Sequence, residues 1–95
     1  MTNQRIGVVI VDDHDLMIDG LSAFIEQEDD IELVGTAAKS KTLFEGLNNW
    51  QEPDVIVLDI NLNEENINGI GIAERLRKEY PTIKVLALSV HTEAL

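Results

Sequence analysis

Several residue types that often carry function are scarce or missing in this chain of 95 residues. There is no cysteine, which excludes disulfides and thiolate metal sites and fits a reducing, cytoplasmic setting. Only 7 residues are basic against 18 acidic ones, so the net charge is −11 and we expect no direct binding of nucleic acid by this segment. No apolar run is long enough to cross a membrane, and no signal peptide precedes Asp12. What is left is a small, acidic, globular chain.

The apolar residues that are present follow two different periodicities. Short continuous apolar runs are typical of strands buried on both faces, whereas apolar residues at every third or fourth position are typical of amphipathic helices. The pattern predicts β-α-β-α-β-α-β, with strands at 6–11, 31–36, 55–58 and 83–90 and helices at 15–28, 41–50 and 70–80. This alternation favours an α/β fold in which a doubly wound parallel sheet has helices on both faces.

Each predicted helix should turn one apolar face towards the sheet. Ser40 is expected to cap the second helix, and Trp50, at its end, is expected to pack against the core. The residues expected to point inward are Leu16 or Met17, Leu21, Phe24 and Ile25 in the first helix, Leu43, Phe44 and Leu47 in the second, and Ile70, Ala73 and Leu76 in the third.

Polar residues follow three of the predicted strands. Asp12 and Asp13 follow the first strand, Asp59 follows the third, and Ser89 lies near the end of the fourth. If the first and third strands are neighbours, these groups meet at the carboxyl edge of the sheet, where doubly wound folds place their sites. Carboxylates that close together raise one another's pKa unless a cation lies among them, and Mg²⁺ suits such a site. Each residue alone could instead cap a helix or loop, but their coincidence favours a site.

Three segments, VVIVDDHDLM, DVIVLDINL and KVLALSVH, resemble the receiver domain of bacterial two-component response regulators. The resemblance is strongest to receivers that precede a LuxR-type helix-turn-helix output domain, and it covers the whole chain. It implies a flavodoxin-like (CheY-like) fold with strand order 2-1-3-4, in which the fourth strand lies at the edge. It also implies a signalling domain rather than an enzyme, with only self-catalysed phosphotransfer and dephosphorylation.

The resemblance further implies a role for each matching residue. Asp59 matches the phosphoacceptor, which takes a phosphoryl group from a sensor histidine kinase. Ser89 matches the switch hydroxyl, which hydrogen-bonds the resulting acyl phosphate. Asp13 and Asp59 would bind Mg²⁺ directly and Asp12 through water, with the backbone carbonyl of Asn61 as a further ligand.

The two histidines, His14 and His91, flank the predicted crevice. His91 occupies a position that tunes hydrolysis in receivers. For both histidines a solvated place in a loop is the simpler expectation.

The chain departs from the receiver pattern in two places. Asn63 stands where a proline is usual, and NEENING lengthens the loop from Asp59 to Gly69. The chain also ends at Leu95, before the fifth strand with its phosphate-binding lysine and the last two helices of a complete receiver. We therefore expect a single truncated receiver domain over residues 1–95 without an output domain. We also expect weak phosphorylation, and self-association through the exposed fourth strand.

Three other functions stay open on the residues alone. A Mg²⁺-dependent phosphohydrolase would also use an aspartyl phosphate, but it needs an Asp-x-Asp motif that the adjacent pair Asp12-Asp13 does not supply. A mononucleotide binder needs a loop that cradles phosphate after the first strand, where this chain has carboxylates. A pseudo-receiver would act only by binding other proteins, and the intact acidic residues argue against it.

Overall fold

The computed structural model describes residues 4–62 and 68–88. Seven elements follow one another: β1 (Ile6–Val11), α1 (Asp15–Glu26), β2 (Ile31–Ala37), α2 (Ser40–Asn49), β3 (Val55–Asp59), α3 (Gly69–Glu79) and β4 (Lys84–Leu88). This order of strands and helices confirms the sequence prediction. The first helix ends two residues earlier than predicted, and residues 89 and 90 of the predicted fourth strand lie outside the described residues.

The four strands form one parallel sheet in the order β2-β1-β3-β4, as predicted. The two central strands are the continuous apolar runs, and Val9, Ile10 and Val11 of β1 are fully buried. β1 and β3 pair in register from Val8 opposite Val55 to Val11 opposite Leu58. This register brings the residues that follow Val11 and Leu58 to the same edge of the sheet.

The helix α1 covers one face of the sheet and contacts it through Ile18, Leu21 and Ile25. These residues are spaced i, i+3 and i+7, which defines a single helical stripe. The prediction that Phe24 points inward is wrong, because its position lies off this stripe and Phe24 is 59% exposed. Leu16, the first of the two alternatives at the start of the helix, is also exposed, whereas Met17 is half-buried.

The helices α2 and α3 cover the other face. Leu43 and Phe44 of α2 are buried in its core, with Leu47 packed against them, as predicted. In α3 the buried apolar side chains are Ile72 and Leu76, and Ala73 packs against the core, so the predictions for Leu76 and Ala73 are confirmed. Ile70 is exposed, so the prediction that it points inward is wrong. The stripe of α3 follows the i, i+4 spacing of its two buried residues.

The prediction for the start of α2 is wrong, whereas the prediction for the residue that follows its end is confirmed. Ser40 is the first helical residue, and Lys39 precedes it in the capping position without a side-chain cap bond, so the predicted Ser40 cap is wrong. Trp50 packs against the core as predicted. Its indole ring lies over Gly35 of β2 and Gly46 of α2, where a Cβ atom at either glycine would collide with it.

β4 lies at the edge of the described sheet and is its least buried strand. Leu86 is 54% exposed, and Ala87 is exposed beside it. At the amino end of the neighbouring strand, the carboxylate of Asp54 accepts a hydrogen bond of 2.8 Å from the amide of Gly7. That contact lies at the amino ends of the central strands, whereas Asp59 lies at their carboxyl ends. It links β1 to the start of β3.

Candidate metal site

The carboxyl edge of the two central strands brings Asp12 and Asp59 side by side. Asp12 follows β1 directly and Asp59 is the last residue of β3, so each acid comes directly after one partner of the pair Val11 and Leu58. The amide of Asp12 donates to the carbonyl of Ala37, which fastens it to β2 as well. The predicted convergence of the strand-end acids is therefore what the sheet produces.

The acidic cluster, formed by Asp12, Asp13 and Asp59, combines buried and exposed carboxylates. Asp12 and Asp59 are 3% and 4% exposed, whereas the side chain of Asp13 reaches solvent. Ligand atoms from the three acids and His14 all lie within 4.8 Å of one another. Burying two ionised carboxylates at this separation is unfavourable without a cation, because each is desolvated and each repels the other.

A backbone amide orients each of the two buried carboxylates. Oδ1 of Asp12 accepts a hydrogen bond of 2.9 Å from the amide of His14. Oδ1 of Asp59 accepts one of 2.9 Å from the amide of Asn61. In both cases the donor lies two residues further along the chain, a local turn that Asp favours.

His14 lies in a loop and is exposed to solvent, as predicted, but its imidazole also contacts the acidic cluster, which was not predicted. Its side chain is 70% exposed, yet Nδ1 lies 2.7 Å from Oδ1 of Asp12, 3.1 Å from Oδ1 of Asp13 and 3.7 Å from Oδ2 of Asp59. The hydrogen bond to Asp12 is the largest cause that raises the pKa of His14, followed by the charges of Asp13 and Asp12 and, more weakly, of Asp59, and slight desolvation opposes them. In the part of the chain that the structure describes, this imidazole is the basic group in contact with the cluster, and it forms an ion pair there when it is protonated.

The start of α3 closes against the end of β3. Asn68 caps α3, because its side chain accepts a hydrogen bond from the amide of Gly71. A Cβ atom at Gly69 would lie 2.7 Å from the carbonyl oxygen of Asp59, so only glycine fits there. Gly69 is thus a positioning residue of the site that the sequence analysis did not name as such, and the signal that could have identified it is the Asn68-Gly69 pair at the end of the loop.

The other predicted site residues lie at or beyond the limits of the described chain. Ser89 and His91 lie outside the described residues, as do Asn63 and the rest of 63–67. Leu88, which precedes Ser89, pairs with Asp59 in the sheet, so β4 ends at the same edge as the acidic cluster.

The donor set fits a hard divalent cation. It consists of carboxylate oxygens, two of which are buried and held by backbone amides, and oxygen is the donor that Mg²⁺ prefers. His14 is the residue in this site that the sequence analysis missed as a member. Its only signal was its place between Asp13 and Asp15 directly after a buried strand.

The family of the chain follows from comparison with known proteins. The family model for the response regulator receiver domain matches residues 8–94. The chain therefore belongs to the response regulator receiver domain family, as the strand-end residues indicated. The family match supports neither the phosphohydrolase nor the mononucleotide binder.

Two curated relatives show the kind of protein in which such a domain occurs. The chain is 38% identical over 87 residues to the transcriptional regulatory protein MctR of Rhizobium johnstonii. These aligned residues are 92% of this chain and 39% of that protein. The chain is 32% identical over 93 residues to the transcriptional regulatory protein DegU of Brevibacillus brevis. Here the aligned residues are 98% of this chain and 38% of that protein. The chain thus spans about two fifths of the length of these relatives.

Solved structures confirm the fold. The isolated REC domain of RcsB from Salmonella enterica serovar Typhimurium, in the presence of the phosphomimetic BeF3−, superposes with a TM-score of 0.83 at 21% identity, covering 95% of this chain and 65% of that one. The non-phosphorylated receiver domain of RcsB from Escherichia coli gives the same TM-score and identity, covering 95% of this chain and 69% of that one.

Among the helices of residues 4–62 and 68–88, none has the length and apolar character needed to span a membrane.

Proposed function

We propose that the chain is the phosphoryl-accepting part of a transcriptional response regulator, with Asp59 as the acceptor and a sensor histidine kinase as the donor. The observation that carries the proposal is the buried Asp59 beside Asp12 at the carboxyl edge of the two central strands. Membership of the receiver family supports it, and so do relatives that are named transcriptional regulatory proteins. Control of transcription would belong to the output part of the longer protein.

In the proposed reaction a carboxylate oxygen of Asp59 attacks the phosphorus of a phosphohistidine. A P–O bond forms while the P–N bond breaks, and the electron pair of that bond leaves on the kinase imidazole, which then takes up a proton. Oδ1 of Asp59 already accepts the Asn61 amide, whereas Oδ2 faces the other members of the cluster. The amide therefore fixes the carboxylate in one orientation before the phosphoryl group arrives.

Mg²⁺ is the cofactor that this donor set suits, and when bound it would neutralise negative charge on the phosphoryl group and on the carboxylates. Asp13 and Asp59 would hold it directly, Asp12 through water, and the backbone carbonyl of Asn61 would complete the protein ligands. Ser89 would donate a hydrogen bond to the phosphoryl group, and His91 would tune hydrolysis.

We also propose that phosphorylation of the 95-residue chain is weak. All 7 lysine and arginine side chains are in the described part of the chain, and there the basic group in contact with the acidic cluster is the imidazole of His14 rather than a lysine or arginine. A phosphoryl group on Asp59 would lack a lysine partner within these residues. Charge-assisted hydrogen bonds of that kind are the strong ones, so their loss should lower the yield of the adduct.

Acetyl phosphate with Mg²⁺, read by intact mass, tests both proposals. We expect a small adduct that requires Mg²⁺ and disappears in Asp59→Asn. Asp54→Asn is the matched control, because Asp54 lies at the other end of the same strand and should leave the adduct unchanged. A stoichiometric adduct that vanishes in Asp59→Asn would refute the weak phosphorylation. An adduct that persists in Asp59→Asn would overturn the acceptor.

A second copy of the chain is the partner we propose for the edge strand β4. Leu86 is 54% exposed there, and edge strands with exposed apolar residues tend to pair with one another. Sedimentation should show self-association of the 95-residue chain that Leu86→Lys weakens. Ile70→Lys, which replaces a similarly exposed apolar residue on α3, should not weaken it. A clean monomer at high concentration would contradict this proposal.

The remaining proposals concern the setting of the domain. We propose that residues 1–95 form one receiver domain, that it acts in the cytoplasm, and that this segment does not itself contact DNA. The surplus of 18 acidic over 7 basic residues supports the last point. A pseudo-receiver that only binds other proteins would bind no Mg²⁺ and form no adduct, and the phosphorylation experiment would reveal it.

A further inference from the structure

A single nitrogen atom lies among the oxygen atoms of the acidic cluster. Nδ1 of His14 is 2.7 Å from Asp12, 3.1 Å from Asp13 and 3.7 Å from Asp59, measured to one carboxylate oxygen of each. The imidazole thus contacts all three acids at once. No other described residue is grouped with them as a possible metal ligand.

These separations are close to those of atoms that share one metal ion. Ligand atoms about 2.1 Å from a metal lie about 3.0 Å apart in octahedral geometry and about 3.4 Å apart in tetrahedral geometry. The distance from Nδ1 to Asp13, 3.1 Å, falls within this range, the distance to Asp59, 3.7 Å, is slightly longer, and the distance to Asp12, 2.7 Å, is that of a hydrogen bond. A cation at the centre of the cluster would therefore find the imidazole nitrogen in a coordinating position without a large movement of His14, once the proton that Nδ1 shares with Asp12 is released to solvent.

The local backbone holds the imidazole at the open side of the cluster. The amide of His14 donates to Asp12, and His14 is the extended residue that precedes α1. Asp12 and Asp59 approach the centre from the buried side, whereas the ring of His14 is 70% exposed. The ring therefore covers the solvent side, where a magnesium site would keep its waters.

An imidazole ligand changes which cations the site favours. Mg²⁺ prefers oxygen ligands and octahedral geometry, whereas imidazole suits first-row transition dications such as Fe²⁺, Ni²⁺ and Zn²⁺. We propose that Nδ1 of His14 is a direct ligand of the divalent cation held by the acidic cluster, and that it gives the site a preference for transition dications over Mg²⁺. This inference rests on the proposed function, because it uses the same three carboxylates.

The test uses Co²⁺ as the transition dication and Mg²⁺ as the oxygen-preferring one. Calorimetric titrations of wild type and His14→Gln should show that the substitution weakens Co²⁺ binding at least about tenfold. Loss of a residue that only hydrogen-bonds a metal ligand typically lowers the metal affinity by about that factor, and loss of a direct ligand should lower it at least as much. Mg²⁺ binding should change far less. His91→Gln is the matched control, because it removes the only other histidine of the chain and should leave Co²⁺ binding unchanged.

A direct reading of the ligand comes from pulsed electron paramagnetic resonance of the Mn²⁺-loaded wild-type chain. A nitrogen coupling that shifts when histidine is labelled with ¹⁵N, and that survives in His91→Gln, would support the proposal. The absence of nitrogen coupling would overturn it even if His14→Gln failed to fold. Equal losses of Co²⁺ and Mg²⁺ affinity in His14→Gln, or no loss, would overturn it as well.

The same data separate this inference from the proposed function. If wild type binds Mg²⁺, loses it in Asp59→Asn, and shows no role of His14, then only the inference fails. If Mg²⁺ does not bind, or binds equally well to Asp59→Asn, then the proposed function fails.

Discussion

Replacement of Asp59 by Asn should stabilise the metal-free protein. Asp59 is 4% exposed, and its ligand oxygen lies within 4.8 Å of those of Asp12 and Asp13. At that separation and an effective dielectric constant of about 20, each pair of carboxylates repels by about 3.5 kcal/mol. Solvent screens the pair with Asp13, and loss of the charge weakens the hydrogen bond from the Asn61 amide. We therefore expect the free energy of unfolding to rise by roughly 1–3 kcal/mol.

Mg²⁺ should reverse this order of stabilities. A ligand that binds only the native state adds about 2.7 kcal/mol at a free concentration of 100 times its Kd, and the variant has lost one of the carboxylates that bind it. The rise in the free energy of unfolding on addition of Mg²⁺, the gain from Mg²⁺, should therefore be large in wild type and small in Asp59→Asn.

Urea unfolding followed by Trp50 fluorescence, with a chelator and with Mg²⁺, measures both effects. Asp54→Asn is the control, because it removes a carboxylate at the far end of β3 and should leave the gain from Mg²⁺ unchanged. A lower stability of Asp59→Asn than of wild type in chelator would contradict the predicted repulsion among the carboxylates. Equal stabilisation of both proteins by Mg²⁺ would contradict the role of Asp59 as a ligand.

Two further predictions concern helix packing and pH. Gly46→Ala should lower stability although alanine favours a helix by about 1 kcal/mol, because its Cβ meets the Trp50 ring and overpacking costs about 1–3 kcal/mol. Gly20→Ala, whose Cβ meets nothing within 4 Å, should raise stability by about 0.5–1 kcal/mol, and the opposite order in urea unfolding would show that the ring lies elsewhere. In a chelator, wild type should be more stable than His14→Gln at low pH, because the hydrogen bond to Asp12 raises the pKa of His14 above 6.5 in the folded state. That advantage should be complete below pH 6.5 and disappear as pH rises through the folded-state pKa, so thermal melts with a pH-independent difference would contradict it.

The sheet and the acidic cluster could be predicted because continuous apolar runs and strand-end acids are local patterns. The runs that became β1 and β3 are the two central strands, as continuous apolar runs indicate, and they pair with each other. Once they are adjacent and parallel, Asp12 and Asp59 must meet at the carboxyl edge. The prediction of the site therefore depended on one inference, that β1 and β3 are neighbours in the sheet.

The helix faces and the role of His14 could not be predicted with the same accuracy. Phe24 and Ile70 are apolar and lie near a buried stripe, but the direction from which each helix meets the sheet leaves them exposed. His14 looked like a solvated residue because its contacts depend on a turn in which its own amide binds Asp12. Geometry of this kind arises from the backbone between elements, which periodicity does not encode.

The most direct test of the central claim is to locate the phosphoryl group on the chain. After reaction with acetyl phosphate, reduction with borohydride converts an aspartyl phosphate to a stable alcohol, which tandem mass spectrometry assigns to one residue. We expect modification of Asp59 alone, present with Mg²⁺ and absent with a chelator. Modification of Asp12 or Asp13 instead, or equal modification of Asp59 without Mg²⁺, would contradict this claim.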